Sequence, residues 1–497
     1  GRVSASPDAT TDPTDVKALC ELYTSTGGPG WVANGGNCAW NSTAGKTECS
    51  NPGWRTCRAD GTAASDPCAS EWMGVGCCGS TTRVTWLDLN SNGLTGSIPD
   101  SIGQLTGLWI LDLKNNGLTG SIPDSIGKMT GLQRLRLNNN GLTGSIPDSI
   151  GQLTGLAYLV LSNNSLTGSI PDSIGKMTRL GFLNLMSNGL TGSIPDSIGK
   201  MTGLRTLGLK SNRLTGSIPD SIGQMTGLQL LYLSFNGLTG SIPDSIFGKM
   251  TRLRWLDLNN NGLTGSIPDS IGQMAGSDLY GLNLNNNALS GALPQSLCSF
   301  ARPHKLSNIP LLLNQLLTFD ITNNSLSGDP SFLLRCWNQT LPGFQGKLDF
   351  RSNAFRTDVA DLLASACLNV PGTGCTSKLR ILNMENNSVF GDVSKIQFGT
   401  RLSSLSLANN SISGDLGKGG SSSSLTYLNM ENNFLNGSVP SFANQISTAR
   451  FKGNPSMRGQ LNRSSDNAWV DLESKAVSFS WDSSEIIWLE VGSSMTL

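Results

Sequence analysis

One short motif returns at an almost fixed interval through half of this chain. The run Leu-Thr-Gly-Ser-Ile-Pro-Asp-Ser-Ile-Gly first begins at Leu94, and its leucine recurs after 24 residues six times, then after 25 and after 26. A period of this length is typical of a solenoid. Because one coil cannot bury its own apolar face, the coils are expected to stack into one elongated body.

A second pattern, Leu-x-x-Leu-x-Leu-x-x-Asn, gives the register of one strand in each coil. Its alternation predicts inward leucines, outward intervening residues and parallel strands about 4.8 Å apart. The closing asparagine is predicted to bond backbone groups left unpaired where the coil turns. Fifteen copies can be aligned, and they start at Val84, Leu108, Leu132, Leu156, Leu180, Leu204, Leu228, Leu253, Leu279, Leu316, Gln345, Leu379, Leu402, Leu425 and Ile446.

The residues before the repeats carry a pattern of their own. Residues 18–31 read Ala-Leu-Cys-Glu-Leu-Tyr-Thr-Ser-Thr-Gly-Gly-Pro-Gly-Trp, and residues 66–77 end in Trp-Met-Gly-Val-Gly-Cys. With the repeats, these segments resemble the plant-type extracellular leucine-rich-repeat proteins, whose N-terminal cap is similar in plant, algal and other protist members. The resemblance implies an α/β repeat solenoid, a right-handed superhelix with a parallel β-sheet on its concave face, short helical turns on its convex side and a cap at each end.

The spacing of the repeats divides the chain into four predicted parts. Residues 1–83 form a disulfide-stapled N-terminal cap, and residues 84–290 form the regular array with a period near 24 residues. Residues 291–454 are expected to be irregular repeats with loop insertions, which in solenoids often make contacts. Residues 455–497 are predicted to be a C-terminal cap or the start of a further segment.

The cysteines predict disulfides formed in an oxidising compartment. Seven of the eleven precede the repeats and four lie where the repeats become irregular, so the regular coils hold none. A zinc site is disfavoured by the single histidine, His304, and by the absence of a Cys-x-x-Cys motif. The late cysteines are expected to pair as Cys367 with Cys375, which close a short loop, and Cys298 with Cys336.

The resemblance adds one disulfide in the cap, from Cys68 to Cys77 or Cys78. An odd cysteine count leaves one thiol free or bonded outside this chain. Asn-x-Ser/Thr acceptors also indicate a secreted or cell-surface location. The eight predicted N-glycosylation sites are Asn41, Asn163, Asn323, Asn338, Asn386, Asn409, Asn436 and Asn462.

Charge and hydropathy exclude several classes of function. Lys plus Arg and Asp plus Glu both number 35, so neither a nucleic-acid groove nor a polybasic membrane surface is indicated. The given chain has no run of 18 or more apolar residues, so no membrane span is predicted in it. Catalysis has little support, because His304 stands alone in an irregular segment and no phosphate loop, His-Glu-x-x-His or dinucleotide motif is present. No catalytic residue, metal or cofactor is predicted.

The outward strand positions vary freely and are rich in aromatic and charged residues. Trp, Tyr and Arg dominate binding hot spots, so these positions predict a recognition surface on the concave face. The alternative is drift at solvated positions that packing does not constrain. The predicted ligand-binding residues are Trp86, Asp88, Trp109, Asp112, Arg134, Arg136, Tyr158, Phe182, Asn184, Tyr232, Trp255, Asp257 and Tyr280.

The other half of each repeat hardly varies. Its threonines and serines are expected to form two exposed columns, and a consensus copied by recent duplication is the favoured explanation for them. The alternative is that the columns suit a periodic ligand such as ice or a polysaccharide. These residues are Thr95, Ser97, Thr119, Ser121, Thr143, Ser145, Thr167 and Ser169. The aspartate that follows each proline forms a third column, and it or the next serine is predicted to cap a short helical turn rather than to bind cations.

The sequence therefore predicts a non-enzymatic extracellular scaffold. Its expected ligand is a protein, a peptide or a glycan, and other cell-surface or wall components are further candidate partners. The resemblance implies receptor ectodomains, wall-associated proteins or inhibitors of wall-degrading enzymes without choosing among them. Two alternatives remain open: an ice- or polymer-binding array, and a structural component of a cell-surface assembly.

Overall fold

The computed structural model describes residues 11–28, 39–41, 46–48, 74–77, 83–277, 279–301, 318–340, 347–366, 369–370, 374–375, 379–396, 402–418, 424–440, 442–443 and 446–458. The predicted cysteine pair at 367 and 375, His304 and almost all of the predicted C-terminal segment lie outside this part or have side chains that it does not cover.

Each of the fifteen aligned copies forms one short strand. The first ten strands pair in parallel, joined at one end by the antiparallel strand Val75–Cys77, and the last five form a second parallel sheet. We call the solvent-facing side of these strands the strand face. The strands are Val84–Asp88, Ile110–Asp112, Arg134–Arg136, Tyr158–Val160, Phe182–Asn184, Thr206–Gly208, Leu230–Tyr232, Trp255–Asp257, Gly281–Asn283, Thr318–Asp320, Lys347–Asp349, Ile381–Asn383, Ser404–Ser406, Tyr427–Asn429 and Thr448–Arg450.

The core is a single column of aliphatic side chains that runs through every coil. In the coil that begins at Leu204, for example, Leu207, Leu209 and Leu214 are completely buried. Burial of each such side chain contributes about 1.5–3 kcal/mol to folding. The pattern of inward leucines repeats in parallel register from coil to coil, so the predicted repeat solenoid is confirmed.

The inward asparagines form the predicted hydrogen-bonded ladder. Nδ2 of Asn212 donates to the carbonyl oxygens of Leu185 and Leu209, both at 3.0 Å, while its Oδ1 accepts from the backbone N–H of Leu190 at 3.1 Å. The same contacts recur at Asn116, Asn140, Asn164, Asn188, Asn236, Asn261, Asn287, Asn324, Asn353, Asn387, Asn410, Asn433 and Asn454. Each amide therefore satisfies buried backbone groups of two coils.

The turn that follows each asparagine is extended and pairs with its neighbours as short parallel strands. The pairing is regular in the first and last coils and reduces to isolated bridges near residues 121–167. These strands are Thr95–Ser97, Gly117–Thr119, Thr215–Ser217, Gly237–Gly240, Gly262–Leu263, Ser290–Ala292, Ser325–Gly328, Ala354–Phe355, Phe390–Asp392, Ser411–Asp415, Phe434–Ser438 and Ser456–Arg458. Two small antiparallel pairs complete the strands: Ala39–Asn41 with Lys46–Glu48, and Asn369–Val370 with Gly374–Cys375.

Short helices cover the side opposite to the strand face. Most are 3-10 helices, namely Asp100–Gln104, Asp124–Lys128, Asp148–Gln152, Asp172–Lys176, Asp196–Lys200, Asp220–Gln224, Asp269–Gly276, Gln295–Ala301, Val393–Lys395 and Leu416–Lys418. The α-helices in the described part of the chain are Pro13–Ser25, Asp244–Lys249, Ser331–Thr340 and Val359–Ala366. None of the described helices is long and apolar enough to cross a membrane.

The predicted capping of these turns by Asp or Ser is wrong in the regular coils. Each helix starts at the aspartate itself, the preceding proline occupies the cap position, and no side-chain hydrogen bond caps the helix, as at Asp172. Proline has no side-chain acceptor, and an aspartate inside the first turn does not have the geometry of an N-cap residue. Its carboxylate still lies near the positive end of the helix, which is a favourable position.

Helices of successive coils approach closely at a glycine. A Cβ atom on Gly175 would lie 2.4 Å from the carbonyl oxygen of Ser197 and 2.7 Å from its Cβ, so this position in the stack leaves no space for a methyl group. The α-helix Asp244–Lys249 has one extra residue and departs from this packing, since a Cβ on Gly248 would meet only the flexible end of Gln273 at 3.6 Å.

The first coil is covered by the helix Pro13–Ser25, whose leucines join the core. The buried carboxylate of Asp15 accepts a 2.7 Å hydrogen bond from the backbone N–H of Val84, and Arg83 Nη2 lies 2.9 Å from its other oxygen. Burial nevertheless raises the pKa of Asp15 to about 6. The helix thereby closes an otherwise open end of the stack.

The irregular region is held by covalent and aromatic contacts. Cys298 and Cys336 form a disulfide with Cα atoms 5.5 Å apart, which confirms that predicted pair. Beside it, the buried Trp337 donates a 3.0 Å hydrogen bond from Nε1 to the carbonyl oxygen of Leu297.

Substituting alanine for Gly175 is expected to destabilise the fold by about 1–3 kcal/mol, because the added methyl group forces neighbouring coils apart. The matched substitution Gly248→Ala should be neutral or slightly stabilising, since alanine is favoured over glycine in a helix and space is available there. Urea denaturation of both variants measures the difference. Equal midpoints for the two variants would contradict the close packing of the helical stack.

Candidate functional site

The strand face brings together the residues that the sequence predicted for recognition. Trp86, Trp109 and Tyr158 are 39%, 52% and 41% exposed, which is unusual for large aromatic side chains. Parallel pairing in constant register places the second variable position of every repeat in one column, as with Phe182 opposite Tyr158. Arg134 is also exposed. The predicted ligand-binding residues that are half-buried are Asp88, Arg136, Phe182, Asn184, Tyr232, Trp255 and Tyr280.

Two predicted contact residues are not outward-facing in the expected sense. Asp112 is 3% exposed and Asp257 is 5% exposed, so the prediction that their carboxylates project into solvent is wrong. Arg136 Nη1 and Lys114 Nζ lie 3.2 Å and 3.3 Å from Oδ2 of Asp112 and cover it. Sequence alternation assigns a side of the sheet but does not show which neighbouring side chains fold over it.

Asp257 is held in a small polar network. Ser234 Oγ donates to Oδ2 at 2.7 Å and Asn259 Nδ2 donates to Oδ1 at 2.8 Å. Burial raises the pKa of Asp257 above its usual range, and the Ser234 hydroxyl and the charge of Lys210 partly offset that increase. The carboxylate therefore positions neighbouring side chains and offers little free charge to a ligand.

Aromatic side chains form two groups on the strand face. Tyr158 and Phe182 stack with ring centroids 6.0 Å apart, and the Arg134 guanidinium carbon lies 5.4 Å from the Tyr158 ring centroid. In the second group the rings of Trp255 and Tyr280 are 5.6 Å apart. Such pairs preorganise large contact areas at low cost in conformational freedom.

The second group rests directly on the sheet. A Cβ atom on Gly281 would lie 2.0 Å from Cε3 of Trp255, so the indole ring covers the backbone of the next strand. The neighbouring Tyr232 is partly buried, and burial, followed by the proximity of Tyr280 and Asp257, raises the pKa of its hydroxyl to about 12. Tyr232 therefore stays protonated and able to donate a hydrogen bond at neutral pH.

A row of residues with left-handed backbone conformation runs along the end of the strand face. All fourteen described non-glycine residues with positive φ lie at the position before the ladder asparagine, and thirteen of them are Asn or Ser. Their exposed side chains join in a second ladder, as where Asn163 Nδ2 donates to Asn139 Oδ1 at 2.7 Å. Asparagine and serine suit this position because short polar side chains tolerate positive φ.

Phe235 is the exception in this row and was missed by the sequence analysis. Its φ is 55°, and it is 48% exposed, with Lys210 Nζ lying 5.3 Å from its ring centroid. Left-handed conformation costs a residue with a Cβ atom roughly 1–2 kcal/mol. The available signal was the break in the column itself, a phenylalanine where thirteen described coils have Asn or Ser and the last has Gly453.

The predicted Thr/Ser array is exposed throughout. Thr95, Ser97, Thr119, Ser121, Thr143, Ser145, Thr167 and Ser169 all face solvent. Parallel pairing from Thr95–Ser97 to Gly117–Thr119, and bridges from Ser121 to Thr143 and from Ser145 to Thr167, place them one coil apart. The exposed aspartates, such as Asp148 and Asp172, form a further row at the start of the helices.

The remaining predicted sites are covered in part. Cys77 is disulfide-bonded, whereas Cys68 lies outside the described residues. The asparagines at 163, 323, 386, 409 and 436 are exposed, and the first four belong to the exposed amide row. The side chains of Asn41 and Asn338 are not described, and Asn462 lies outside the described residues. In the described part, no three His, Cys, Asp or Glu side chains are grouped to hold a metal ion.

Comparison with known proteins agrees with this architecture. Two models, each described as leucine rich repeat, match residues 82–142, 130–190 and 183–238, and residues 252–274, respectively. No curated protein matches the chain. The plant peptide hormone receptor RGFR1 in complex with RGF2 is 26% identical over 76% of this chain, with a TM-score of 0.58. The chain spans 59% of that receptor structure.

Two further structures are similar in part. A plant ice-binding protein is 29% identical and covers 64% of this chain, which spans 89% of that structure, with a TM-score of 0.48. The Arabidopsis receptor kinase HAESA, in complex with the peptide hormone IDA and the co-receptor SERK1, is 27% identical and covers 89% of this chain, which spans 78% of it, with a TM-score of 0.49.

The coils within residues 82–238 and 252–274 match the leucine-rich-repeat pattern. The predicted resemblance to plant-type members is confirmed by these matches.

Replacing Ser234 with alanine should destabilise the protein more at neutral pH than at pH 4. The pKa of Asp257 is raised in the folded state, so folding favours its protonated form and stability falls as pH rises through the interval between the unfolded and the folded pKa. Without the Ser234 hydroxyl the ionised form loses about 1–2 kcal/mol of stabilisation, and the protonated form loses less.

The control is Ser162→Ala, at the same position in an earlier coil where the next strand carries Asn184 in place of a carboxylate. Urea denaturation at several pH values measures both variants. A loss for Ser234→Ala that does not depend on pH would show that the hydroxyl does not stabilise the Asp257 carboxylate.

Proposed function

We propose that this chain is an extracellular recognition scaffold that binds a protein, peptide or glycan through the strand face. The observation that carries the proposal is the preformed aromatic and cationic surface, in which Arg134, Tyr158 and Phe182 stack in adjacent coils and Trp255 packs against Tyr280. Exposed aromatic and arginine side chains on a rigid frame lose little freedom on binding, so they are strong candidates for hot spots.

The nature of a similar protein supports the same proposal. RGFR1 is a plant peptide hormone receptor, so a peptide is the ligand that we favour for this chain. We further propose that the protein is secreted or displayed at the cell surface, because a disulfide holds the irregular region and five of the predicted glycosylation asparagines are exposed. The four-part division at residues 83, 290 and 454 is part of this proposal.

Peptides selected from a phage-displayed random library on the immobilised protein test the strand face. Tyr158→Ala and Trp255→Ala should each weaken the selected peptides by about tenfold or more, because each removes a central aromatic contact. Thr167→Ala, which lies away from the strand face, should leave the affinity unchanged. Titration calorimetry measures all three variants. Peptides that are indifferent to both aromatic substitutions would place the recognition surface elsewhere.

A second candidate function is binding to a periodic surface through the Thr/Ser array. The observation that favours it is the regular row of exposed hydroxyl side chains, fixed at one step per coil by parallel pairing. A ligand with a matching repeat, such as ice or a linear polymer, would contact many coils at once, and weak contacts would add through multivalency.

Thermal hysteresis and ice-recrystallisation assays test this candidate. The double variant Thr143→Tyr and Thr167→Tyr should lose most of any activity that the wild-type protein shows, because two bulky rings interrupt the flat row. Tyr158→Ala serves as the control on the strand face. Wild-type ice activity that persists in the double variant would exclude the Thr/Ser array as the site.

A further inference from the structure

The strand face carries a charge that the whole chain does not. Positive and negative residues balance at 35 each in the full sequence. Between the third and the ninth coil, however, the solvent-side positions of the strand face hold five cations, namely Arg134, Arg136, Arg205, Lys210 and Arg254, and a single carboxylate, Asp257. That carboxylate is buried and hydrogen-bonded, and Arg136 lies against Asp112, so Arg134, Arg205, Lys210 and Arg254 give the described part of this region an excess of positive charge.

Three of these cations lie at the middle of the face, two in the sixth coil and one in the eighth. Arg205 and Arg254 are exposed and stand just before their strands, at the position where Tyr280 in the next coil contacts the Trp255 ring. Lys210 follows its strand and lies against Phe235. Parallel strands are about 4.8 Å apart, so the three positive charges are spread over roughly 10 Å of the stack.

Phe235 is an apolar anchor that folding does not require. It departs from a row of Asn and Ser side chains, holds a left-handed backbone conformation that Asn, Ser or Gly occupies in the other described coils, and leaves about half of its ring in solvent. Strain that is retained at an exposed position indicates a role other than stability. A phenyl ring has no hydrogen-bonding group, so Phe235 contacts an apolar side chain or the C–H face of a sugar ring, and not the hydroxyls of a sugar.

We infer that Arg205, Lys210, Phe235, Arg254, Trp255 and Tyr280 form a subsite for an extended acidic peptide segment that also carries an aromatic or apolar side chain. This inference rests on the proposed function and specifies the chemistry of its ligand. The peptide's carboxylates face the three cations, and its apolar side chain packs on Phe235. A peptide provides both features in one chain, whereas an acidic glycan carries charge but no apolar or aromatic side chain.

Fluorescently labelled poly(Glu,Tyr) copolymer is the probe, with poly-Glu, poly(Lys,Tyr) and polygalacturonate for comparison. The full chain should bind poly(Glu,Tyr) more tightly than each of the others. The triple variant Arg205→Glu, Lys210→Glu and Arg254→Glu should bind poly(Glu,Tyr) about tenfold more weakly or worse. The control variant Lys128→Glu, Lys176→Glu and Lys200→Glu reverses three exposed charges on the opposite helices and should retain the affinity.

Phe235→Asn separates function from folding. It restores the residue type of the exposed amide row, so the melting temperature should rise by about 1–2 °C while affinity for poly(Glu,Tyr) falls and affinity for poly-Glu does not. A variant that melts lower, or that binds poly(Glu,Tyr) as tightly as the wild type, overturns the role of Phe235. Circular dichroism checks that both triple variants are folded.

The other possible results distinguish an acidic peptide site from an acidic glycan site and from binding to net charge. Polygalacturonate that binds as tightly and is lost in the same triple variant would make this an acidic glycan site and overturn the peptide inference. An equal loss in the control triple would show binding to net charge alone, and preference for poly(Lys,Tyr) would refute the acidic ligand. If poly(Glu,Tyr) fails while phage-selected peptides still depend on Tyr158 and Trp255, the inference falls and the proposed function stands. If no probe depends on the strand face, both fall.

Discussion

This solenoid depends on hydrogen bonding of the backbone N–H and C=O groups where each coil turns. Each coil changes direction inside the body of the protein, where unpaired backbone groups would cost about 1–3 kcal/mol each. The buried amide of Asn212, and its equivalents along the chain, pairs such groups in two coils at once. The leucines supply the apolar burial, but the ladder fixes the register, and that register places equivalent side chains in straight columns on both surfaces.

Much of the fold follows from the sequence because the constraints are repeated and local. All fifteen aligned copies form strands, the ladder asparagines make their predicted bonds, and Cys298 pairs with Cys336. The helix ends were predicted less well, since proline takes the cap position and leaves aspartate inside the first turn. A consensus indicates where a turn occurs, whereas the capping geometry depends on backbone angles that adjacent residue types do not specify.

The candidate site was only partly predictable for a related reason. Alternation within each strand assigned the aromatic residues to one face, but the covering of Asp112 by Arg136 and Lys114 depends on side chains from neighbouring coils. Phe235 and the cations at 205, 210 and 254 were not identified because none belongs to a conspicuous motif. These residues stand out when equivalent positions of the coils are compared. The residue type that most coils share at a position is the one that folding favours, and a different residue type indicates another role.

Differences among the coils of this chain therefore distinguish positions that serve folding from positions that serve function. Thirteen described coils solve the left-handed position before the ladder asparagine with Asn or Ser, and one carries a half-exposed phenylalanine. Asn and Ser tolerate this backbone conformation better than Phe does, so Phe235 is expected to lower the free energy of unfolding. Natural proteins commonly retain such strained residues where binding needs them. The Thr/Ser array is nearly identical in every regular coil, so it shows no such difference between coils. Its uniformity indicates residues that are compatible with stacking, and no residue in it departs from the others in a way that indicates binding.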